Sequence, residues 1–329
     1  MLFLYAVLAL IGIIGLVFFL KWIQLTTGNK RVAKELQCFQ IKKISTGSVK
    51  SLSILPLVDF YTDNPALKTE AGVSYLIQAD DTKILMDVGF NKKKEHPSPL
   101  LNNSNKLGVS WKDLDFIFLS HRHLDHIGGM QEQKNKLFSI SQGPVELPQI
   151  PVYSPAEISP SSWNPGPKVQ VVNQPKVLAD GIVSIGSIPR NLFVMGYTLE
   201  NSLAIKVENK GIVLIIGCGH QTVERIIERT QALFDDPIYG IIGGLHYPVR
   251  NGRMMLGPIN LQNIVGSHKL PWKGIREDDV THAIQAIQRV NPKFVSLSPH
   301  DSSDWSIEQF RKAFQDRYHD LKVGEKMVL

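Results

Sequence analysis

What most constrains the fold of this 329-residue chain is a short apolar strand that runs into a cluster of metal-ligand side chains. Phe116-Ile-Phe-Leu-Ser120 leads into His121-Arg-His123-Leu-Asp125-His126, and Gly128 and Gly129 follow. In extended chain, side chains two apart point the same way, so His121 and His123 share a face. The chain is then expected to turn into a helix near Asp125 and His126, adding a carboxylate and a third imidazole at the same spot. The two glycines permit close backbone approach. Imidazole nitrogen and carboxylate oxygen suit zinc, and also iron or manganese. A lone histidine would read as solvated surface; this density directly after a buried-type strand reads as a metal centre.

Three more histidines sit where apolar strands end. Residues 212–216 run into Gly217-Cys218-Gly219-His220, residues 238–242 into Gly243-Gly244-Leu245-His246, and residues 294–297 into Ser298-Pro299-His300-Asp301. Loops at strand ends are where such enzymes assemble sites. His96, His268, His282 and His319 lack that context and read as solvated or structural.

Met1 to Leu20 carries no charged side chain and is followed by Lys21 and Trp22. About 20 apolar residues span a bilayer core of about 30 Å, so residues 1–26 read as a transmembrane anchor. A cleaved signal peptide fits less well, because no Lys or Arg precedes the run and no small-residue cleavage site follows. Lys21, Lys30, Arg31 and Lys34 all flank its C-terminal side, which predicts a single-pass protein whose body faces the cytoplasm. The chain's 36 Lys and Arg exceed its 30 Asp and Glu by six, and residues 1–50 hold that whole excess, with seven of the former against Glu35. The rest is electrically balanced, so no nucleic-acid-binding body is expected. Cys38 and Cys218 make no disulfide framework, which favours a reducing compartment.

Residues 27–50 are polar and basic and read as a tether to a domain over 51–329. Strands are expected at 51–58, 73–78, 83–87, 115–119, 169–172, 182–185, 203–207, 212–216, 238–242 and 294–297. Helices are expected at 221–233, 279–289 and 306–315, the last capped by Asp304 or Ser306. Hairpins first, then strands alternating with helices, suggest α/β (α+β) sheets sandwiched by helices. Residues 144–175 and 247–276 read as long loops. In the second, Met254, Met255, Leu256 and Trp272 pack on the body or, less favoured, line a pocket.

The His-x-His-x-Asp-His run after a strand resembles the signature of the metallo-β-lactamase superfamily. The resemblance extends over residues 51–329: Gly72-Val-Ser-Tyr-Leu-Ile and Lys83-Ile-Leu-Met-Asp87-Val-Gly89 look like its opening strands and Asp-x-Gly turn. Asn103-x-x-Lys106-Leu-Gly108, Asp113-Leu-Asp115, Gly217-Cys-Gly-His220, Gly243-Gly-Leu-His246 and the closing 322–329 resemble the branch of dihydropterin ribofuranosylaminobenzene-phosphate synthases. That resemblance implies an αββα sandwich with two divalent metals at one edge, zinc first, manganese or iron also fitting. It implies a first site of His121, His123 and His220, a second of Asp125, His126 and His300, and Asp87 orienting a ligand. Three departures stand out. The superfamily's Gly-His-Thr turn reads Gly196-Tyr197-Thr198, Cys218 occupies the bridging Asp position, and Asp301-Ser302-Ser303 replaces Cys-Thr-Gly. His220 then substitutes for the missing His, Cys218 reads as a small packed residue, and the second site is the weaker.

The expected function is a membrane-anchored metal-dependent hydrolase acting on a phosphoester or related small-molecule substrate through a metal-activated water. Asp125 is the expected proton acceptor and His246 the expected substrate contact. The alternatives are a non-catalytic membrane-tethered binding protein of the same fold, or a di-iron oxidoreductase. The intact ligand run argues against the former. His123, where such oxidoreductases carry Glu, argues against the latter.

Overall fold

A computed structural model describes residues 1–329, apart from the Leu2 side chain. Helix α1 (Leu2–Cys38) precedes strands β1 (Leu52–Val58), β2 (Ser74–Ala79) and β3 (Thr82–Met86), helix α2 (Pro99–Lys106) and strand β4 (Phe116–Phe118). Next come β5 (Pro151–Ser154), β6 (Lys168–Val171), β7 (Lys176–Ala179), β8 (Ile182–Ser184), β9 (Ile188–Leu192), β10 (Gly196–Glu200), β11 (Leu203–Val207) and β12 (Gly211–Ile216). The chain closes with α3 (Val223–Leu233), β13 (Ile238–Gly243), α4 (Glu277–Val290), β14 (Phe294–Leu297), α5 (Asp304–Phe314) and β15 (Met327–Val328).

Two sheets face each other. One has the order β15-β1-β2-β3-β4-β5-β6 and the other β14-β13-β12-β11-β8-β7. Each begins with antiparallel pairs and ends with parallel ones: β3 to β6 run parallel in the first, β12 to β14 in the second. Period-two burial assigns the faces. Ile84, Met86, Phe116 and Phe118 meet Val213, Ile215 and Ile242 between the sheets. Leu85, Ile117 and Val152 turn outward under α2, whereas Ile212, Leu214, Ile216 and Ile241 turn outward under α3, α4 and α5. The layers are therefore αββα. Parallel strands end at one edge of each sheet, which is where such folds place ligands.

Several expectations are corrected. The stretch 27–50 is no free tether: α1 continues to Cys38, and Leu25 and Val32, one heptad apart, are buried against the β9–β10 hairpin. Gly28 lets the helix approach, since a Cβ there would lie 2.3 Å from the Asn191 side chain. Asn191 Nδ2 donates to the Leu25 carbonyl (3.1 Å), Lys21 to that of Val194 (3.1 Å), and Phe18 packs between Phe193 and Trp272. Residues 2–20 otherwise stand clear of the body, and α1 is long and apolar enough to cross a membrane. Residues 144–175 contain β5 and β6, and residues 247–276 contain a small hairpin and the short helix Leu261–Val265. Met254, Met255 and Leu256 are exposed rather than packed, and Trp272, though largely exposed, stacks on Phe18 of α1. Ser303 caps α5, its hydroxyl accepting from the Ser306 amide.

Candidate metal centre

Every candidate ligand group follows the end of a strand. Asp87 follows β3, His121 follows β4 after Leu119 and Ser120, and His220, His246 and His300 follow β12, β13 and β14. The loop 121–129 is a turn rather than the expected helix, the next helix starting at Met130. His126 N–H donates to the His123 carbonyl (3.0 Å). Gly128, at φ +96°, sits where a Cβ would be 2.1 Å from the Ser139 carbonyl oxygen, so only glycine closes this turn.

The histidines converge. Ring centroids lie 4.4 Å apart for His121 and His123, 4.2 Å for His121 and His126, 4.8 Å for His123 and His220, 4.3 Å for His220 and His246, and 5.2 Å for His126 and His300. Ligand atoms of His121, His123 and His220 fall within 4.8 Å of one another, and so do those of Asp125, His126 and His300. His121 Nε2, His126 Nε2, His220 Nδ1, His246 Nε2 and His300 Nε2 are buried without hydrogen-bond partners. Buried polar atoms are ordinarily satisfied, so this concentration of orphaned lone pairs fits divalent cations. Burial, reinforced by neighbouring imidazoles, holds His121, His220 and His300 far below the usual histidine range. These rings are therefore neutral, the form that ligates. His126 is the exception: burial lowers it, but the carboxylates of Asp125 and Asp87 outweigh that and carry it to about 9.

Supporting groups fix each ring. Asp87 accepts from the Ser120 amide (2.7 Å) and hydroxyl (2.6 Å) and holds His126 Nδ1 at 2.7 Å. Ser298 Oγ bonds His300 Nδ1 (2.6 Å) and donates to Asp59 (2.6 Å). Glu200, fully buried at the end of β10, accepts from the amides of Cys218 (3.0 Å), Gly219 (2.6 Å) and His220 (2.8 Å). Asp301 accepts from the His246 amide (2.9 Å). Of these carboxylates, Asp301 stands out in the sequence only as a departure from Cys-Thr-Gly, and Glu200 and Asp59 do not stand out at all. Nothing local marks them, because each acts across a loop contact.

Two expected roles shift. Cys218 is buried, as a packed residue would be, yet its sulfur groups with His121 and His126, with His220 and His246, and with His300 and Asp301. His246, expected at the substrate, has Nδ1 3.2 Å from that sulfur and so lies inside the cluster as well as lining a cavity beside it. Thr198 Oγ1 is 3.4 Å from His123 Nε2, whereas Tyr197 turns to α1, where its hydroxyl donates to Glu35 under the Arg31 guanidinium.

An αββα body with these ligands at its sheet edges defines a metallo-β-lactamase-type protein. Residues 67–138 match the family model of the metallo-beta-lactamase superfamily. The chain is 23% identical over 273 residues to 7,8-dihydropterin-6-methyl-4-(beta-D-ribofuranosyl)-aminobenzene-5'-phosphate synthase of Methanocaldococcus jannaschii, covering 69% of this chain and 88% of that protein. Among solved structures it is similar to Tm1679, a metal-dependent hydrolase of the beta-lactamase superfamily, with TM-score 0.56 and 16% identity over 84% of this chain and 98% of that one. It is also similar to the metallo-beta-lactamase fold protein YhfI of Bacillus subtilis, with TM-score 0.50 and 16% identity over 84% and 99% of the two chains. The chain thus has the metallo-β-lactamase fold, matches that superfamily's model over residues 67–138, and is a distant homologue of the dihydropterin synthase branch.

Proposed function

We propose that this chain is a membrane-anchored hydrolase of phosphoesters or related small molecules, with two divalent metals, zinc first, held by His121, His123 and His220 and by Asp125, His126 and His300. The observation that carries the reading is the set of five orphaned imidazole nitrogens in one buried cluster. A bound divalent cation lowers the pKa of water from 15.7 to about 7 and polarises the scissile oxygen.

The chain's own residues supply the rest. The 24% exposure of the Asp125 side chain, against none for His126, supports Asp125 as the group that takes the attacking water's proton and returns it to the leaving group. Asp87, Ser298 and Glu200 hold imidazoles and loop in register, and His246 closes the cluster toward the cavity it lines. The phosphoester preference rests on the distant archaeal relative, whose name carries a phosphate group.

The anchor reading rests on the length, apolarity and exposure of residues 2–20, and the cytoplasmic body on the basic flank from Lys21 to Lys34. Metal analysis of the full chain against a His121→Ala, His123→Ala variant tests the centre. About two equivalents of zinc, manganese or iron, lost in the variant, are expected. A metal-free chain even after reconstitution refutes the hydrolase.

A further inference from the structure

The candidate centre opens onto two cavities of opposite electrostatic character. The one beside His220 and His246, of about 120 Å³, is balanced: Lys269 is bound by both oxygens of Asp279 (2.8 and 2.7 Å), and Glu224 faces it together with Arg190. The one beside His123, of about 290 Å³, is lined by Arg122, Lys134 and Lys136 and by no carboxylate. Among the described residues none of these three cations forms an ion pair; Arg122 is oriented only by the backbone carbonyl of Glu157 (2.9 Å). Such an imbalance stands out in a body whose charge is otherwise neutral, and like charges converging on a concave wall favour an anion there.

The far wall of this cleft is the β9–β10 hairpin, contributing Met195, Tyr197, Thr198 and Leu199. α1 packs along this hairpin and also contacts its tip. Lys21 donates to the Val194 carbonyl and Phe18 packs on Phe193, at the end of the apolar stretch. The cleft thus has His123 at its floor, three cations on one side, and an apolar rim next to the hairpin tip that Lys21 and Phe18 of α1 contact.

We infer that the His123-side cleft is the substrate subsite, taking a phosphate group against Arg122, Lys134 and Lys136 with the apolar remainder of the molecule along Met195 and Leu199. It rests on the hydrolase reading for what happens to that phosphate, but the binding itself does not require turnover. The phosphate can arrive on a membrane lipid or on a soluble metabolite, and the same three cations serve either.

The test uses the full chain, metal-loaded, in nanodiscs of neutral lipid. Inorganic phosphate and short-chain phosphatidic acid are titrated calorimetrically, and metal content is measured in parallel. The variant Arg122→Gln, Lys134→Gln, Lys136→Gln, whose two lysines are exposed, is expected to bind both probes at least tenfold more weakly with metal content unchanged. Affinity for both probes is also expected to fall with added salt. Wild-type affinity in that variant, or an equal loss in Lys269→Gln, overturns the assignment.

The arms separate the sources. Phosphatidic acid binding at least tenfold tighter than phosphate, with the gain lost in Met195→Ser, identifies a lipid-borne group; equal affinities identify a soluble one, and both uphold the cation set. A chain that holds no metal but still binds phosphate through these cations refutes the hydrolase and leaves the subsite standing.

Discussion

Glu200→Ala isolates a residue that touches no metal and yet shapes the centre. The substitution strips acceptors from three amides, those of Cys218, Gly219 and His220, at 3.0, 2.6 and 2.8 Å. Each buried donor left unmade costs about 1–3 kcal/mol, so the loss is about 3–9 kcal/mol. An opposing effect exists in the metal-free chain, where burial pushes the Glu200 carboxyl up to about 7 against those three hydrogen bonds. Keeping it ionised above that pH costs about 3 kcal/mol, at about 1.4 kcal/mol per unit, and alanine removes that cost. A cation in the centre removes it too. The variant therefore loses more in the metal-loaded chain than in the metal-free one, and the difference is lost metal affinity, about 100-fold. Chelator competition measures the affinity, and thermal unfolding of both forms measures the stabilities. Zinc affinity within threefold of wild type would refute the idea that Glu200 sets the ligand loop.

Asp87→Ala removes the carboxylate holding His126 Nδ1 and both Ser120 groups, and is expected to lower metal affinity about 10–100-fold; two equivalents retained under mild chelation would contradict this. Burial pushes Asp59 from the ordinary 3.8 up to about 7, outweighing hydrogen bonds from Ser298, Phe60 and Tyr75. Because the folded value is the higher one, its contribution is present below pH about 4 and lost as pH rises to about 7. The metal-free Asp59→Asn chain should show a shallower fall in stability over that window, and an unchanged slope would count against it. Metal removal should lower the melting temperature of the wild type, by the equivalent of about 2.7 kcal/mol where the metal stood at 100 times its dissociation constant. Melting unaffected by a chelator would exclude a cation in the fold.

Much of this architecture is legible because apolar side chains fall on two faces. Strands such as 203–207 and 294–297 are apolar but for one residue each, Lys206 and Ser296, and their sequence bounds coincide with the structural ones. The β9–β10 hairpin escaped notice because Pro189, Arg190 and Asn191 break the apolar pattern, although all three are buried or nearly so. The continuation of α1 was hidden for a related reason. Its packed stripe is only Leu25, Val32 and the half-buried Leu36, too sparse among polar residues to mark an amphipathic helix. In the centre, His121, His123, Asp125 and His126 are adjacent in sequence, so a local pattern exposes them. Glu200 and Asp59 reach their partners only through the meeting of separate strands, which no local spacing encodes.

The parallel halves of the two sheets explain why the candidate ligands can be so distant in sequence and still meet. β12, β13 and β14 are held in register by ladder hydrogen bonds, so the first loop residues after each emerge side by side. The same holds for β3 and β4, which deliver Asp87 and His121. Ring positions thus follow from the sheets, while the carboxylates and hydroxyls beneath, Asp87, Glu200, Asp59 through Ser298, and Asp301, decide the angle of each ring or loop. Burial pushes the carboxyls of Asp59, Asp125, Glu200 and Asp301 upward, and the imidazole lone pairs opposite them lack partners. Without a cation, both sets are buried at a loss that the sheets alone must offset. With one, the carboxyls could ionise and the lone pairs would be satisfied together, so metal loading would be coupled to folding through the groups that orient the candidate ligands.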